Sequence, residues 1–354
     1  SLHGSLSPPG FDMSNNQTPS STARHHAGLL LSVVGTLFFA TMTAAGEDFT
    51  PTGIVGDWSL KLESGLPAWM RVVDNDGKPQ VYIRFYIGPA GPYDDVEVVD
   101  GRLKFEIRRK KKNGSASVTN VDVGLKNGAL DGVVLRKLAD GALERDTFTG
   151  KKIPPMPAAA PDLSKVRFGH PIALFNGKDL TGWRPHESDK INGWSAKDGV
   201  LKNTTPKTDF SPTGAYANLK TDAVFDDFWL HIEFLVEEQR NSGIYLRGMY
   251  EAQVVDRSSR MQGIQGVGAI FGTIAPSVNA GKPGGEWQSY DITLVDRHVT
   301  VVLNGQKVID NQPVSAPTAG AIFTNPSEPG PIYLQGDHTA VSYRNIYLAP
   351  VLGK

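Results

Sequence analysis

Short runs in which apolar and polar residues alternate follow one another along most of this chain, and turn dipeptides separate them. Asp100-Gly101 and Asn304-Gly305 are examples of the two-residue chemistry that closes a β-hairpin. Successive side chains of a strand point to opposite faces, so this alternation indicates strands with one buried face. No helical periodicity is evident over residues 54–153. The pattern predicts an all-β protein built from antiparallel sheets.

The chain is expected to divide at a stretch rich in proline and alanine. Residues 154–171 begin with PPMPAAAP, an extended composition typical of a linker. Residues 46–153 are predicted to form a small antiparallel β-barrel, because closing a meander removes its exposed edges. Residues 172–354 alternate throughout, which predicts two packed antiparallel sheets, a β-sandwich of jelly-roll or lectin type.

The N-terminal region has the pattern of an export signal. An uncharged apolar run occupies residues 27–45 and follows a basic flank. Thr43 and Ala45 are small residues ahead of a candidate cleavage point before Gly46. The run is short for a membrane anchor. We therefore expect residues 1–45 to be a tail and a cleaved signal peptide, and the mature chain to be secreted or periplasmic.

Composition narrows the classes of partner. The formal net charge is -1, whereas proteins that bind nucleic acid or anionic membranes usually carry a basic excess. The chain has no cysteine, which excludes disulfides, thiolate metal sites and a cysteine nucleophile. The glycine-rich stretch 263–285 contains no phosphate-binding motif, so no nucleotide is expected; it reads as a long loop beside a site.

Residues 241–256 carry the candidate site. They read NSGIYLRGMYEAQVVD, which predicts two short strands joined by a turn at Gly248. One set of alternating side chains is apolar and is expected to face a core: Ile244, Leu246, Ala252 and Val254. The other set is polar and would share the opposite face: Tyr245, Arg247, Glu251 and Gln253. Such a face suits a polyhydroxylated ligand, although a solvated outer face of a sandwich has the same pattern.

Ten motifs in order resemble a known family. They are FNGKDLTGW (175–183), KDGVL (197–201), DDFWLHIEF (226–234), NSGIYLRG (241–248), YEAQVVD (250–256), GAIFGTIAP (268–276), KPGGEWQSYDI (282–292), LNG (303–305), GPIYLQ (330–335) and YRNI (343–346). Over about residues 172–350 the chain is similar to the 3-keto-disaccharide hydrolase domain. The resemblance implies a concanavalin-like sandwich that cleaves glycosides oxidised to a ketone at C3. Residues 54–153 resemble lipocalin-like barrels.

The implied chemistry needs three groups. A 3-keto group acidifies the hydrogen on C2, so a base can remove it and the C1 oxygen can leave by elimination. Glu251 is the expected base or a metal ligand. Arg247 is expected to bind the keto oxygen or its enolate. His338 is expected to protonate the leaving oxygen or to bind metal, although a loop histidine is more often simply exposed.

Other residues are expected to bind substrate or a metal ion. The predicted substrate-binding residues are Tyr245, Gln253, Gln335 and Arg344, and for Arg344 a structural ion pair is an equal alternative. His231 and Glu233 share one face of a predicted strand and could join Glu251 around a divalent metal ion. Alternatively, Glu233 is a cross-strand partner of Arg247. No compact metal motif occurs, so a metal cofactor stays an open possibility.

Two further interpretations compete with catalysis. A non-catalytic carbohydrate-binding module of the cell envelope would need aromatic side chains on the polar face; a structural envelope protein would need no site at all. Asn241 and Gly243 are interpreted as turn residues, and most tryptophans as packing residues. The two-carboxylate strand of ordinary sandwich glycosidases is absent. The enzyme reading also implies a sugar 3-dehydrogenase that supplies the substrate.

Overall fold

A computed structural model describes residues 50, 53–86, 88–110, 116–137, 141–206 and 214–354. The predicted tail and signal peptide lie outside these residues, and export stays a prediction. Within the described ranges, the single helix is a 3-10 turn, Gly263–Gln265. No helix there is long and apolar enough to cross a membrane. The prediction of an all-β protein is confirmed.

The first sheet has eight antiparallel strands. They are β1 Gly56–Leu62, β2 Pro67–Asn75, β3 Lys78–Phe85, β4 Val96–Val99, β5 Arg102–Lys110, β6 Ala116–Lys126, β7 Ala129–Lys137 and β8 Leu143–Ile153. Their order is β3-β2-β1-β8-β7-β6-β5-β4. Val81 of β3 exchanges two backbone hydrogen bonds with Tyr93, just before β4. The ends of the sheet therefore approach each other, and the sheet forms a nearly closed barrel.

The predicted turn chemistry closes the barrel hairpins. Asp100 and Gly101 both have positive φ, at 52° and 68°, and join β4 to β5. Both values belong to the left-handed region that a two-residue hairpin turn requires. Asn304 and Gly305, at 51° and 80°, close a hairpin of the second region in the same way. Local sequence therefore determined these turns.

The remaining strands build two further sheets. They are β9 Arg167–Phe168, β10 Ile172–Ala173, β11 Trp183–Pro185, β12 Trp194–Lys197, β13 Val200–Asn203, β14 Leu219–Thr221, β15 Phe228–Leu235, β16 Asn241–Leu246, β17 Tyr250–Val255, β18 Gln288–Val295, β19 His298–Leu303, β20 Gln306–Pro313, β21 Tyr333–Leu334 and β22 Val341–Gly353. Nine strands form the larger sheet, along the path β12-β13-β22-β15-β18-β19-β20, with β9 and β10 on β22. Five form the smaller sheet, β11-β14-β21-β16-β17.

The two sheets pack face to face around one apolar core. On β15 the core side chains are Phe228, Leu230, Ile232 and Phe234, whereas the residues between them are partly exposed. Ile244 and Leu246 of β16 join the same core from the smaller sheet. The alternation read from the sequence thus gave the correct inner face of both sheets. The predicted sandwich is confirmed.

The outer face of the smaller sheet is also covered. Every residue of β16 and β17 is buried. The amide of Phe271 donates to the carbonyl oxygen of Glu251, and the amide of Glu251 donates to the hydroxyl of Thr318, so two loop segments bind the free edge of β17. The alternative of a solvated outer face is wrong for these strands. Their polar side chains lie inside the protein.

The barrel contacts the segment that covers this sheet. The Arg84 guanidinium donates to the Pro317 carbonyl oxygen at 2.5 Å. The amide of Gly320 donates to the carbonyl oxygen of Tyr86 at 2.8 Å. The Ser59 and Thr324 hydroxyls are 2.8 Å apart. We call residues 314–330 the covering segment, because they lie between the barrel and the smaller sheet. The predicted domain boundaries themselves stay a prediction.

Candidate active site

A cavity of about 220 Å³ lies on the buried polar face of the smaller sheet. Its lining residues are Tyr86, Asn241, Tyr245, Glu251, Phe271, Ala319, Gly320, Tyr333, Gln335, Asp337 and His338. Strands β16, β17 and β21, with the residues that follow β21, form its floor and one side. The barrel and two loop segments provide the rest. A cavity of this volume holds several waters and suits one monosaccharide ring.

Glu251 lies in this cavity with its side chain above Gly243. Glu251 is 4% exposed, and its Oε1 would be 2.3 Å from a β-carbon placed at position 243. Gly243 lies two residues before Tyr245 on β16, so both lie on the same face of the strand. Tyr245 pairs with Glu251 of β17, so Glu251 shares this face. Position 243 therefore needs glycine because the carboxylate occupies the space of a side chain. The interpretation of Gly243 as a turn residue is wrong.

The phenol of Tyr245 links the carboxylate to the covering segment. Its hydroxyl is 3.0 Å from Glu251 Oε2 and 2.8 Å from the carbonyl oxygen of Ala319. A phenol carries one proton, so it donates fully to only one of these acceptors at a time. When Glu251 is ionised, the phenol can donate to the carboxylate. When Glu251 is protonated, it can donate to the phenol, which then donates to Ala319.

Burial raises the pKa of Glu251 to about 8; the hydrogen bond with Tyr245 lowers it in part, and the negative charge of Asp337 raises it further. Desolvation disfavours the ionised form of a carboxyl group, which explains the direction. Burial also raises the pKa of Tyr245 well above its usual value, and the neighbouring Glu251 adds to this. Tyr245 therefore stays protonated while Glu251 exchanges its proton near neutral pH. Such a carboxylate is suited to general base chemistry.

An imidazole and a second carboxylate lie in the same cavity. The Nδ1 atom of His338 is 2.5 Å from Asp337 Oδ1. Asp337 is 5% exposed, and its backbone amide donates to Asn218 Oδ1 at 3.2 Å. A carboxylate at Nδ1 fixes the orientation of the ring and favours a proton on that nitrogen. The oriented ring lies among the lining residues of the cavity.

Two amide side chains present oxygens without a protein partner. Asn241 Oδ1 and Gln335 Oε1 are buried and accept no hydrogen bond from the residues that the structure describes. Both residues line the cavity. Buried polar atoms are nearly always paired in folded proteins, so each of these oxygens calls for a donor such as a water molecule or a ligand that donates hydrogen bonds. Sugar hydroxyl groups have this property. Asn241 was interpreted as a turn residue, whereas it begins β16 and lines the cavity.

Aromatic rings form much of the remaining lining. Tyr86, Phe271 and Tyr333 line the cavity together with Tyr245. The rings of Tyr245 and Tyr333 meet edge to face with centroids 5.0 Å apart. Tyrosine combines an apolar ring with a polar tip, so it can contact both the carbon skeleton and the hydroxyl groups of a sugar. The cavity therefore combines aromatic surface with carboxyl, imidazole and phenol groups.

Arg247 does not reach this cavity. The strand β16 ends at Leu246, and Arg247 has a φ of 55°, so the two-residue period no longer applies to it. Its guanidinium is held by Asp226 at 2.9 Å and by the carbonyl oxygens of Pro326 and Glu328. It borders a different cavity, beside the linker. The predicted shared face of Arg247 and Glu251 is wrong because the chain turns before Arg247.

Two predicted substrate-binding residues also lie elsewhere. Gln253 is fully buried, and its amide donates to the carbonyl oxygen of Gln265 at 3.0 Å. It therefore anchors the loop after β17 and does not line the cavity. Arg344 pairs with Glu233 at 2.7 Å and lies over the ring of Trp287 at 4.0 Å. The structural ion pair that was weighed for Arg344 is the arrangement observed.

The proposed metal ligands are not brought together. His231 and Glu233 lie on the partly exposed outer face of β15, in the larger sheet, whereas Glu251 lies in the smaller sheet. His231 Nδ1 is 2.8 Å from Asp291 Oδ1. Glu233 binds Arg344, so Arg247 is not its partner. Among the described residues, no group of three or more His, Asp or Glu side chains is placed to hold a metal ion.

The cavity residues Tyr333, Asp337 and Tyr86 were not among the predicted site residues, and the sequence signal for each of them differs. Tyr333 lies two residues before Gln335, so the two-residue period could have identified it once Gln335 was chosen. Asp337 directly precedes His338 and could have been considered as its partner. Tyr86 has no such signal, because it belongs to the barrel and reaches the cavity only through the tertiary structure.

Comparison with known families identifies the family to which residues 170–349 belong. The sequence model of the 3-keto-α-glucoside-1,2-lyase-like domain matches residues 170–349, half of the 354-residue chain. The chain belongs to this family. The match agrees with the range of about 172–350 read from the ten motifs, and it includes every cavity residue except Tyr86. The lyase-like domain supports a function that acts on carbohydrate.

Several solved structures are similar to part of this chain at low identity. A protein provisionally named a glycosyl hydrolase, from Parabacteroides distasonis, is 21% identical and has a TM-score of 0.43; the alignment covers 51% of this chain and 93% of that one. The carbohydrate-binding module CBM66 of Bacillus subtilis is 11% identical with a TM-score of 0.31, over 48% and 95%. Porphyranase B of Zobellia galactanivorans is 10% identical with a TM-score of 0.34, over 56% and 98%. No curated protein matches the chain.

Proposed function

We propose that this chain cleaves glycosides that carry a ketone at C3, by elimination followed by addition of water. The observation that carries the proposal is the buried carboxylate of Glu251, whose pKa is raised to about 8, inside a cavity of monosaccharide size. A base of this strength suits removal of a carbon-bound proton beside a ketone. Membership of the lyase-like family supports the same substrate class.

The proposed reaction has two stages. Glu251 removes the proton on C2, and the electron pair passes to the C3 carbonyl, giving an enolate. The enolate returns its electrons, the bond between C1 and the glycosidic oxygen breaks, and His338 protonates the leaving oxygen. Water then adds at C1 of the enone and gives one proton back to His338, and C2 regains a proton from Glu251. The net change is hydrolysis, and no oxidant or reductant is consumed.

The other cavity residues have supporting roles in this proposal. Asp337 holds His338 in orientation through the contact at Nδ1. Tyr245 donates to the ionised carboxylate of Glu251, and Gln335 and Asn241 accept hydrogen bonds from sugar hydroxyl groups. Neutral phenols of the lining are the available donors to the enolate oxygen. The role first given to Arg247 is not retained, because Arg247 does not line the cavity.

The proposal extends to the setting of the enzyme. A 3-keto-glycoside arises when the C3 alcohol of a glycoside loses two hydrogens, so a sugar 3-dehydrogenase must act before this chain. The apolar run of residues 27–45 supports export to the periplasm or medium. Both proposals are tested by locating the full chain in its own cells and by assaying the same fraction for dehydrogenase activity.

Release of the aglycone tests the reaction directly. The purified chain is incubated with a 3-keto-glucoside and, separately, with the unoxidised glucoside, and both are followed by chromatography with and without a chelator. We expect release from the keto form only. Release from both forms would contradict the elimination mechanism. Loss of activity with chelator would show that the reaction requires a metal ion.

A binding module is the second candidate, because aromatic rings line the cavity as they would in such a module. It predicts saturable binding of both sugars without release of the aglycone. Calorimetric titration of the unoxidised glucoside, beside the release assay, separates the two functions.

The rate is expected to rise with pH as Glu251 loses its proton. The base must be ionised to act, and its pKa is about 8, so its ionisation should raise kcat/KM about tenfold per pH unit below this value and contribute no further rise above it. The measurement is kcat/KM from about pH 6 to about pH 9, after subtraction of the spontaneous elimination that 3-keto sugars undergo in base. A flat profile, or a midpoint near the ordinary value for glutamate, would contradict the role of Glu251.

A further inference from the structure

One lining residue of the cavity comes from outside the lyase-like domain. Tyr86 follows strand β3 of the barrel and lines the cavity beside Tyr333 and Tyr245. The family match begins at residue 170, so the domain alone cannot supply this side chain. Without Tyr86 the cavity would lack part of its wall.

The backbone at Tyr86 is held in an unusual conformation. Its φ is 60°, in the left-handed region that a bulky residue seldom adopts, and such a conformation persists only where the surroundings fix it. Two contacts with the covering segment do so. Its carbonyl oxygen accepts from the amide of Gly320 at 2.8 Å, and Arg84 binds the carbonyl oxygens of Gly88 and Pro317. The turn at Tyr86 directs the chain so that the side chain meets the sandwich.

The covering segment joins Tyr86 to the base. Ala319 accepts the hydrogen bond of Tyr245, and Gly320 lies against the same phenol, where an added β-carbon would be 2.6 Å from the hydroxyl oxygen. One peptide unit therefore contacts the barrel through its amide and the Tyr245–Glu251 pair through its other side. The position of the barrel and the shape of the cavity depend on each other.

The environment keeps the Tyr86 hydroxyl neutral. Burial raises the pKa of Tyr86 to about 12; the negative charges of Asp337 and Glu187 add to this, and a hydrogen bond with the side chain of Tyr333 offsets part of it. A neutral phenol can both donate and accept a hydrogen bond, and its ring offers an apolar surface. These are the two contacts that a sugar ring requires.

We propose that Tyr86 is a substrate-binding residue contributed by the barrel, and that it positions the sugar ring over Glu251 by ring contact and by a hydrogen bond to a sugar hydroxyl. The inference rests on the proposed function, since it takes the ligand to be a sugar. It assigns the barrel a role in recognising substrate, in addition to any structural one. The barrel and the sandwich then act as one site.

The test compares two positions on the same part of the barrel. Tyr86→Ala and Tyr86→Phe are made in the full chain, with Tyr82→Ala and Tyr82→Phe as matched controls, because the Tyr82 hydroxyl contacts Gln80 of β3 and Tyr82 does not line the cavity. Steady-state kinetics with a 3-keto-glucoside and calorimetric binding of the unoxidised glucoside are measured, with thermal unfolding as a check on folding.

We expect Tyr86→Ala to raise KM and Kd by about tenfold or more, and Tyr86→Phe by about threefold to tenfold, for loss of one hydrogen bond. The value of kcat should change less than KM, and both controls should stay within about twofold of the wild type. Tyr86→Phe keeps the ring and so answers the question even if Tyr86→Ala fails to fold. Equal KM and Kd in Tyr86→Phe and Tyr82→Phe would overturn the inference.

The outcomes also separate this inference from the proposed function. Binding that depends on Tyr86, with no cleavage of the keto sugar by the wild type, would overturn the reaction and leave the role of Tyr86 in place. Cleavage by the wild type, with KM and Kd unchanged in the Tyr86 variants, would overturn the role of Tyr86 and leave the reaction in place. Failure of the wild type to bind or cleave either sugar would overturn both.

Discussion

Replacing Glu251 by glutamine is expected to reduce kcat/KM for a 3-keto-glucoside by about 10²–10⁴-fold, because the amide cannot accept the C2 proton. The shape of the side chain is nearly unchanged, and its oxygen can still accept the hydrogen bond of Tyr245. The measurement is aglycone release under single-turnover conditions, with Glu237→Gln as the matched control. Glu237 is exposed and lies beyond the end of β15. A Glu251→Gln variant with activity within about threefold of wild type would remove Glu251 from the reaction.

The same variant should gain stability, and the gain should depend on pH. Glu251 has a pKa of about 8 in the folded chain against an ordinary value of 4.5. Between these values the unfolded chain has released this proton and the folded chain has kept it, so rising pH favours unfolding. Glutamine has no such proton. The stability of the variant relative to wild type should therefore increase by at most about 1.4 kcal/mol per pH unit up to about pH 8 and then stay constant. Denaturant unfolding at several pH values measures this, and a difference independent of pH would contradict the raised pKa.

Gly243→Ala is expected to damage both stability and catalysis. The new methyl carbon would be 2.3 Å from Glu251 Oε1 and 2.8 Å from its Cγ, within a strand that is buried throughout. The carboxylate must move or the strand must shift, and overpacking of this kind costs about 1–3 kcal/mol. A displaced carboxylate also loses its position against C2, so kcat should fall by about 10²-fold. Denaturant unfolding and the release assay measure the two effects.

A double-mutant cycle isolates the cause. Gly243→Ala is made in the wild type and in a Glu251→Ala chain, where the space above position 243 is free. We expect a large loss of stability in the first background and a small one in the second, with a coupling energy of about 1 kcal/mol or more. Gly169→Ala serves as the control, because a β-carbon there would meet Pro350 at 3.3 Å and needs only a small shift. Equal losses in both backgrounds would show that the overlap with Glu251 is not the cause.

Some of the buried polar side chains of the smaller sheet have hydrogen-bond partners within the protein, whereas two side-chain oxygens near the cavity have none. Tyr245 is satisfied by Glu251 and Ala319, and Gln253 by Gln265. Asn241 Oδ1 and Gln335 Oε1 have no partner among the described residues, and both residues line the cavity. An unpaired buried acceptor costs about 1–3 kcal/mol. A ligand that donates hydrogen bonds to both oxygens would remove this cost, and the gain would contribute to its free energy of binding.

Several elements followed directly from the sequence. The alternation along β15 placed Ile232 and Phe234 on the face opposite His231, and the structure shows this separation. The same two-residue period placed Tyr245 and Glu251 on one face, and both line the cavity. The turn dipeptides predicted the hairpins because their residues adopt left-handed φ values easily. These features depend on the two-residue alternation of strand side chains and on local steric preferences, and both are determined by residues that are close in the sequence.

Other features depend on contacts between distant parts of the chain. Alternation cannot show whether a polar face is solvated or covered, and here the covering segment and the barrel bury it. Alternation also fails where a strand ends, as at Arg247, whose left-handed backbone takes the side chain to another cavity. The partner of Glu233 proved to be Arg344, on a strand more than one hundred residues later.

The sequence by itself determined the strands, their faces, the hairpin turns and the family, because these are recorded in short-range patterns and in ordered motifs. The tertiary structure alone decided which polar groups meet in the cavity, the raised pKa of Glu251 and the presence of Tyr86. The physical reason is that desolvation and electrostatic interaction depend on distance in space. A residue of the barrel and a residue of the sandwich become neighbours only after the chain has folded.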